Sequence, residues 1–133
     1  MSTKNESDGL KPELRALSVR QPWAWLIVNG HKDVENRTRR YHFTGRLLIH
    51  ASKVMTPDDY ATAHSIAELQ GVTLPPPDQL WRGGIVGEVT VTGTVTHSTS
   101  PWFFGPYGMA LKDAKPLPVE PCKGALGFFT PKI

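Results

Sequence analysis

The stretch GIVGEVTVTGTVTH, from Gly84 to His97, carries the clearest fold signal in this 133-residue chain. Val, Ile and Thr alternate along it with a period of two, as in a half-buried β-strand. Gly87 and Gly93 interrupt the alternation, and glycine kinks allow a long strand to curl around a small barrel. The stretch therefore predicts one long, bent strand in a curved sheet.

Shorter elements precede this strand. Strands are predicted over residues 14–19, 33–38 and 46–51. Apolar residues at helical spacing predict a helix over residues 21–30, and an N-cap, a first-turn proline and two acidic residues predict a second helix over residues 56–70. Pro22 suits a first helical turn, and Gly30 suits the left-handed position that ends a helix. Thr56 has the side chain of an N-cap residue. These features predict two helices among the N-terminal strands.

Proline and aromatic residues dominate the remaining segments. Residues 72–84, VTLPPPDQLWRGG, and residues 112–124, KDAKPLPVEPCKG, are predicted to be loops because proline interrupts helices and central strands. Residues 100–108 predict an aromatic turn, and residues 107–111 and 125–129 predict short strands. Together, the predicted strands and helices indicate an α+β fold, which is a small mixed β-barrel of five to six strands with two to three flanking helices.

The chain termini, cysteine content and charge narrow the functional classes. Residues 1–13 are polar and lack the apolar core of a signal peptide, so we expect a flexible lead-in before a single domain over residues 14–133. Cys122 is the only cysteine, which suggests a reducing, cytoplasmic setting. The net charge is +3, and residues 31–53 hold six basic against two acidic side chains. Such a basic segment is compatible with a polyanionic partner.

The motif GHKDVENRT, residues 30–38, concentrates the charged side chains. On a strand, Glu35 and Arg37 share one face, and Lys32 can join them only from the turn that Gly30 permits. As a binding site, Glu35 would hold Lys32 in place and Arg37 would offer a planar donor fork to a phosphate or a base carbonyl. The alternative is three solvated charges on a hairpin edge.

Several motifs together resemble the ASCH domain (activating signal cointegrator homology), a relative of the PUA-like RNA-binding folds. They are ALSVRQPWAWLIVNGHKDVENRT, GRLLIHASK, GGIVGEV, SPWFFGPYG and GALGFF, and they extend from Leu14 to Phe129. The resemblance implies a PUA-like β-barrel with a cleft for RNA or a nucleoside. Members include nucleic-acid-binding modules, a reported ribonuclease and amidohydrolases that deacylate N-acylcytidines. A lysine matching Lys32 is implicated in the amidohydrolases, but a threonine stands there at the position of Glu35.

Further candidates for the cleft carry polar or aromatic side chains. His50, Ser52 and Lys53 would form a second wall, although His50 is equally interpretable as a core residue. Trp23 would be a wall of the cleft. The other candidates are Arg20 and Gln21 for a base edge or for capping, Trp102 and Tyr107 for stacking or for closing the barrel end, and Arg39, Arg40 and Arg46 for phosphates.

Two functions from different classes follow. The first is a module that binds single-stranded RNA or a modified pyrimidine nucleoside. The second is a small metal-independent hydrolase, an N-acylcytidine amidohydrolase or a ribonuclease, in which Lys32 and Glu35 transfer protons. The scattered histidines and the single cysteine predict no metal site, and the sequence predicts no cofactor and no membrane span. The oligomeric state is not indicated.

Overall fold

The computed structural model describes residues 14–133, so the predicted lead-in at residues 1–13 lies outside the described part. Six strands and two helices form the fold. In chain order they are β1 (Ala16–Val19), α1 (Trp23–Val28), β2 (Val34–Arg37), β3 (Gly45–Ala51), α2 (Pro57–Leu69), β4 (Gly84–Val95), β5 (Tyr107–Pro121) and β6 (Phe128–Phe129). A single 3-10 turn, Pro77–Gln79, lies in the proline-rich segment that the sequence predicted to be a loop.

The strands form one mixed sheet in the order β2-β5-β4-β3-β1-β6. β1 and β3 are parallel, and the other neighbours are antiparallel. Within the described residues, β2 and β6 are the two edges of the sheet. This curled, half-barrel sheet with two helices confirms the predicted α+β class and the number of strands.

The long strand β4 bends where its glycines lie. Its register with β5 shifts between Ile85 and Gly87 and again between Val91 and Gly93. A Cβ atom at Gly87 would lie 2.5 Å from the Val28 side chain, so only glycine lets α1 approach this closely. Two of the register shifts thus lie at the glycines that were predicted to bend the strand, and Gly87 leaves room for α1 to pack on the sheet.

β5 corrects the prediction for residues 112–124. Most of that segment, which was predicted to be a proline-broken loop, continues the strand as far as Pro121. β2 pairs only with Tyr107–Ala110, so the later residues of β5 pair with β4 alone. Proline lacks an N–H group, but an edge needs hydrogen bonds on only one side. Pro116 also lies beside a register shift, where the ladder is already interrupted.

Three apolar clusters hold these elements together. The largest joins α1 to β1, β3 and β4, with Ile27 and Ile49 each 1% exposed or less. A second contains Leu26, Ala63 and Trp102, and it attaches α2 to α1. The smallest, Ala16, Leu48 and Ile85, involves β1, β3 and β4, with Phe129 of β6 packed against it. The second cluster fixes α2 near β2, and the candidate site lies between these parts of the fold.

Candidate functional site

A cavity of about 470 Å³ is lined by Lys32, Glu35 and Arg37 of the charged motif. Its volume is within the range of small-molecule sites. The side chains around it come from the end of β1, from α1, from β2, from α2 and from the aromatic turn. They are Ser18, Val19, Arg20, Trp23, Lys32, Glu35, Asn36, Arg37, Thr62 and Phe104.

Glu35 is the centre of an ion-pair cluster that it forms with Lys32 and Arg37. Its Oε1 accepts from Lys32 Nζ at 3.1 Å, and its Oε2 accepts from Arg37 Nη2 at 3.1 Å. Lys32 also donates to the Val34 carbonyl, and its side chain is only 3% exposed. These positions exclude the interpretation as three solvated charges. Glu35 therefore holds both cations in fixed places at the cavity wall.

The turn after α1 brings Lys32 to this position. Gly30 adopts φ +79°, the left-handed conformation that the sequence predicted. The N–H groups of His31 and Lys32 both donate to the Leu26 carbonyl, at 2.9 and 3.0 Å. Because this turn ends the helix sharply, Lys32 approaches Glu35 from outside the strand, and its Nζ lies 5.9 Å from the centroid of Trp23.

Arg37 retains unused donor capacity. Its Nε is buried and has no hydrogen-bond partner among the described residues. The side chain as a whole is 22% exposed and lines the cavity, so a guanidinium N–H group that is not bonded to Glu35 can donate to a ligand oxygen. The arrangement is therefore suited to bind a phosphate or carbonyl oxygen at Arg37.

Asp59, a residue that the sequence analysis did not select, connects α2 to the opposite wall of the cavity. Its Oδ1 accepts from Trp23 Nε1 at 3.3 Å, and its Oδ2 lies 3.4 Å from Arg20 Nε. The predicted N-cap Thr56 is confirmed, since its Oγ1 accepts from the Asp59 N–H at 3.0 Å. Asp59 thus orients both Trp23 and Arg20 from the first turn of α2.

Asn36 positions the aromatic turn. Its Nδ2 donates to the Trp102 carbonyl at 3.0 Å, and its Oδ1 accepts from the N–H groups of Phe104 and Gly105 at 2.8 and 3.1 Å. Phe104 is 62% exposed and lines the cavity. Sequence reasoning missed both Asn36 and Phe104, although Asn36 lies between two selected residues.

Two of the predicted binding residues are buried away from the cavity. Gln21 is 2% exposed, donates to the Trp81 carbonyl and accepts from the Trp25 N–H. Trp102 is 1% exposed and packs edge-on against Trp23. Their contacts are those of residues that support the site from behind, whereas Trp23 itself lines the cavity.

The predicted second wall lies elsewhere, and this corrects its placement. His50, Ser52 and Lys53 line a different pocket of about 350 Å³, and only Ser18 borders both hollows. His50 is 2% exposed and accepts or donates at both ring nitrogens, to Ser18 Oγ and the Cys122 carbonyl. Lys53 also borders a depression of about 660 Å³ along Asp78–Arg82. The His50 ring packs edge-on against Phe129 of β6, with 5.8 Å between the ring centroids.

The three arginines that were predicted to bind phosphate occupy exposed positions near β2 and on β3. Arg39 and Arg40 are exposed, and their guanidinium carbons lie 5.8 Å from the Tyr41 ring and 5.3 Å from the Tyr107 ring. Tyr107 therefore contacts Arg40, one of the residues that were predicted to bind phosphate. Arg46 is engaged differently, because its Nε donates to Glu88 Oε1 at 2.8 Å.

Within residues 14–133, no group of three or more His, Cys, Asp or Glu side chains is arranged to hold a metal ion. No helix in the same range is long and apolar enough to cross a membrane.

Comparison with known proteins identifies the family. The model of the ASCH domain matches residues 17–113, which is most of the chain, so the protein belongs to the ASCH domain family. Among solved structures, it is similar to two mutant proteins of ZmASCH from Zymomonas mobilis, each with 16% sequence identity and a TM-score of 0.49. These matches cover 83% and 82% of this chain and 76% and 74% of the other chains. No curated protein matches the chain.

Proposed function

We propose that the protein binds RNA or a modified pyrimidine nucleoside in the cavity formed around Lys32, Glu35 and Arg37. The observation that carries this proposal is the ion-pair cluster at the cavity wall, in which Glu35 fixes two cations and the partly exposed Arg37 side chain keeps N–H groups for a ligand. A pyrimidine presents a carbonyl oxygen, and RNA also presents phosphate oxygens, and a guanidinium donates well to either.

The aromatic side chains around the cavity support a planar ligand. Trp23 lines one part of it, and Phe104 lies at its exposed rim. Unstacked bases bind on aromatic rings, and each such contact contributes about 1 to 3 kcal/mol. An enclosure with aromatic residues and a cationic wall therefore favours a nucleobase over an aliphatic anion.

The contacts of Glu35 favour binding over proton transfer. Both of its carboxylate oxygens already accept from a cation, and Lys32 Nζ is bound to Glu35 and to the Val34 carbonyl. Each oxygen keeps a second lone pair, but the contacts with Lys32 and Arg37 direct the carboxylate at its own cations rather than at the proton of a substrate. The ion-pair cluster is thus better arranged for ligand recognition than for the hydrolase alternative.

Fluorescence anisotropy with a labelled, pyrimidine-rich single-stranded RNA tests the proposal. We expect Arg37→Ala to weaken binding at least about tenfold, because charge-assisted hydrogen bonds contribute roughly 1.5 to 3 kcal/mol. Arg82→Ala is the matched control, since it removes one exposed cation that donates to the Lys53 carbonyl outside this cavity. Equal losses in the two variants would refute a specific role of the cavity.

Hydrolysis of N4-acetylcytidine discriminates between the two functions. The wild type is compared with Lys32→Ala and Glu35→Ala, and cytidine formation is followed by absorbance. We expect no turnover. Turnover that disappears in both folded variants would replace the binding proposal with the amidohydrolase.

A further inference from the structure

We propose that Ser18 and His50 form a nucleophile and base pair that cleaves small carboxylic esters by acyl transfer. The inference concerns the 350 Å³ pocket on the far side of Ser18, so it does not depend on the proposed function. Ser18 Oγ lies 3.0 Å from His50 Nδ1, within the range of a nucleophile and its base.

The backbone fixes this pair. Ser18 on β1 and His50 on β3 are register partners in the parallel ladder, so their side chains project side by side. His50 Nε2 lies 2.8 Å from the Cys122 carbonyl, which can only accept a hydrogen bond. Nε2 therefore carries the proton, and in the neutral ring Nδ1 is left to accept from the Ser18 hydroxyl. The Cys122 carbonyl thus plays the positioning role of the third member of a catalytic triad.

The pair borders open space on the side where a substrate would lie. Ser18 is partly exposed and lines both hollows, whereas His50 is 2% exposed and lines only the second. Lys53 and Lys123 line the same pocket. Their positive charges would stabilise the oxyanion that forms during acyl transfer. Ala125 and Leu126 supply an apolar part suited to a short acyl chain.

The chemical steps balance with water as the only co-reactant. Ser18 Oγ adds to the ester carbonyl carbon as its proton passes to His50 Nδ1. The tetrahedral intermediate breaks its C–O bond, and the leaving alcohol takes the proton from Nδ1. Water then attacks the acyl group on Ser18, gives a proton to Nδ1, and the carboxylic acid leaves as Ser18 recovers its hydroxyl.

A fluorophosphonate probe tests whether Ser18 is activated. Attack forms an Oγ–P bond and releases fluoride, and we expect one adduct per chain, mapped to Ser18 by peptide mass spectrometry. Ser18→Ala should abolish the adduct, and Ser65→Ala should leave it unchanged because Ser65 is exposed on α2 and lines neither hollow. An adduct on another residue, or none, overturns the proposal.

The role of His50 is tested by rate. His50→Gln should slow labelling about a hundredfold, the usual contribution of a positioned general base. If His50→Gln does not fold by circular dichroism, Gly124→Ala takes its place, because a Cβ there would lie 2.5 Å from Ser18 Oγ and 2.7 Å from His50 Cε1. Labelling at the wild-type rate in a folded variant overturns the pair.

Hydrolysis of p-nitrophenyl acetate then tests turnover. We expect the wild type to release p-nitrophenol faster than Ser18→Ala and to form an acetyl adduct on Ser18. Equal rates for the two proteins would overturn acyl transfer even if the probe labels Ser18.

Discussion

At the scale of single residues, Glu35 has the largest electrostatic effect on the site. Its two oxygens separate Lys32 from Arg37, and both cations are at least three-quarters buried. Removing one member of a buried charge pair costs more than the pair itself contributes, because the remaining charge loses its compensation. The stability of the fold and the geometry of the site are therefore coupled at this carboxylate.

Glu35→Gln should lower the free energy of unfolding by about 3 to 5 kcal/mol, since it leaves Lys32 without its carboxylate. Urea unfolding followed by circular dichroism measures this change. The double variant Lys32→Met with Glu35→Gln should recover part of the loss. Arg46→Ala is the control, because its half-exposed pair with Glu88 should contribute less than about 1 kcal/mol. Equal losses for Glu35→Gln and Arg46→Ala would contradict the coupling.

Cys122 gives a pH-dependent prediction at the same scale. Burial raises the pKa of its thiol, Glu120 adds to that increase, and the Ile85 backbone opposes it. Alkylation by iodoacetamide should therefore reach half its maximal rate at a higher pH in the folded protein than in urea. The unfolded thiol loses its proton first as pH rises, so this group removes stability above the unfolded pKa. Coincident alkylation profiles would contradict the prediction.

At the scale of elements, the glycines of β4 decide how closely α1 packs on the sheet. Gly87→Ala would place a methyl group 2.5 Å from the Val28 side chain and 2.7 Å from the Lys115 carbonyl. Overpacking of this kind typically costs about 1 to 3 kcal/mol. Thermal unfolding should show the loss for Gly87→Ala and a smaller one for Thr92→Ala, an exposed position on the same strand. A wild-type melting temperature for Gly87→Ala would mean that α1 shifts freely.

The elements also show which parts of the fold the sequence predicts. Periodicity identified β4 and α1, and α1 also ends at the predicted Gly30. The start of α2 was identified by its capping residue Thr56 and the first-turn proline. It failed at β5, where proline is tolerated because one side of the strand has no partner strand past Ala110. That condition depends on strand order, which local sequence does not contain.

The same limit applies to the candidate site. The ion-pair cluster of Lys32, Glu35 and Arg37 was predictable from the spacing of these residues in the sequence and from the turn at Gly30. The separation of His50 from that ion-pair cluster was not predictable, because it depends on which face of β3 each side chain takes within the folded sheet. Asp59 and Phe104 are brought to the cavity by α2 and by the aromatic turn, and only tertiary packing reveals this.

At the scale of the whole molecule, the distribution of charge should make binding of the proposed RNA ligand depend on salt. The exposed Arg39 and Arg40 lie just after β2, in the basic segment of the chain. If both contact phosphates, Arg39→Ala with Arg40→Ala should reduce the slope of log affinity against log salt by about 1.4. Anisotropy titrations over a series of salt concentrations measure it, with Lys115→Ala as the control. An unchanged slope would remove these arginines from the interface.

The edge position of β2 has a consequence for solubility. An unpaired strand edge is a template for pairing with other chains, and charged side chains on an edge oppose such pairing. Among residues 14–133, β2 has a strand partner on one side only, and two of its four residues, Glu35 and Arg37, are charged. The same charges that form the cavity wall thus also protect the protein against self-association, and neutral variants of this strand should form aggregates more readily than the wild type.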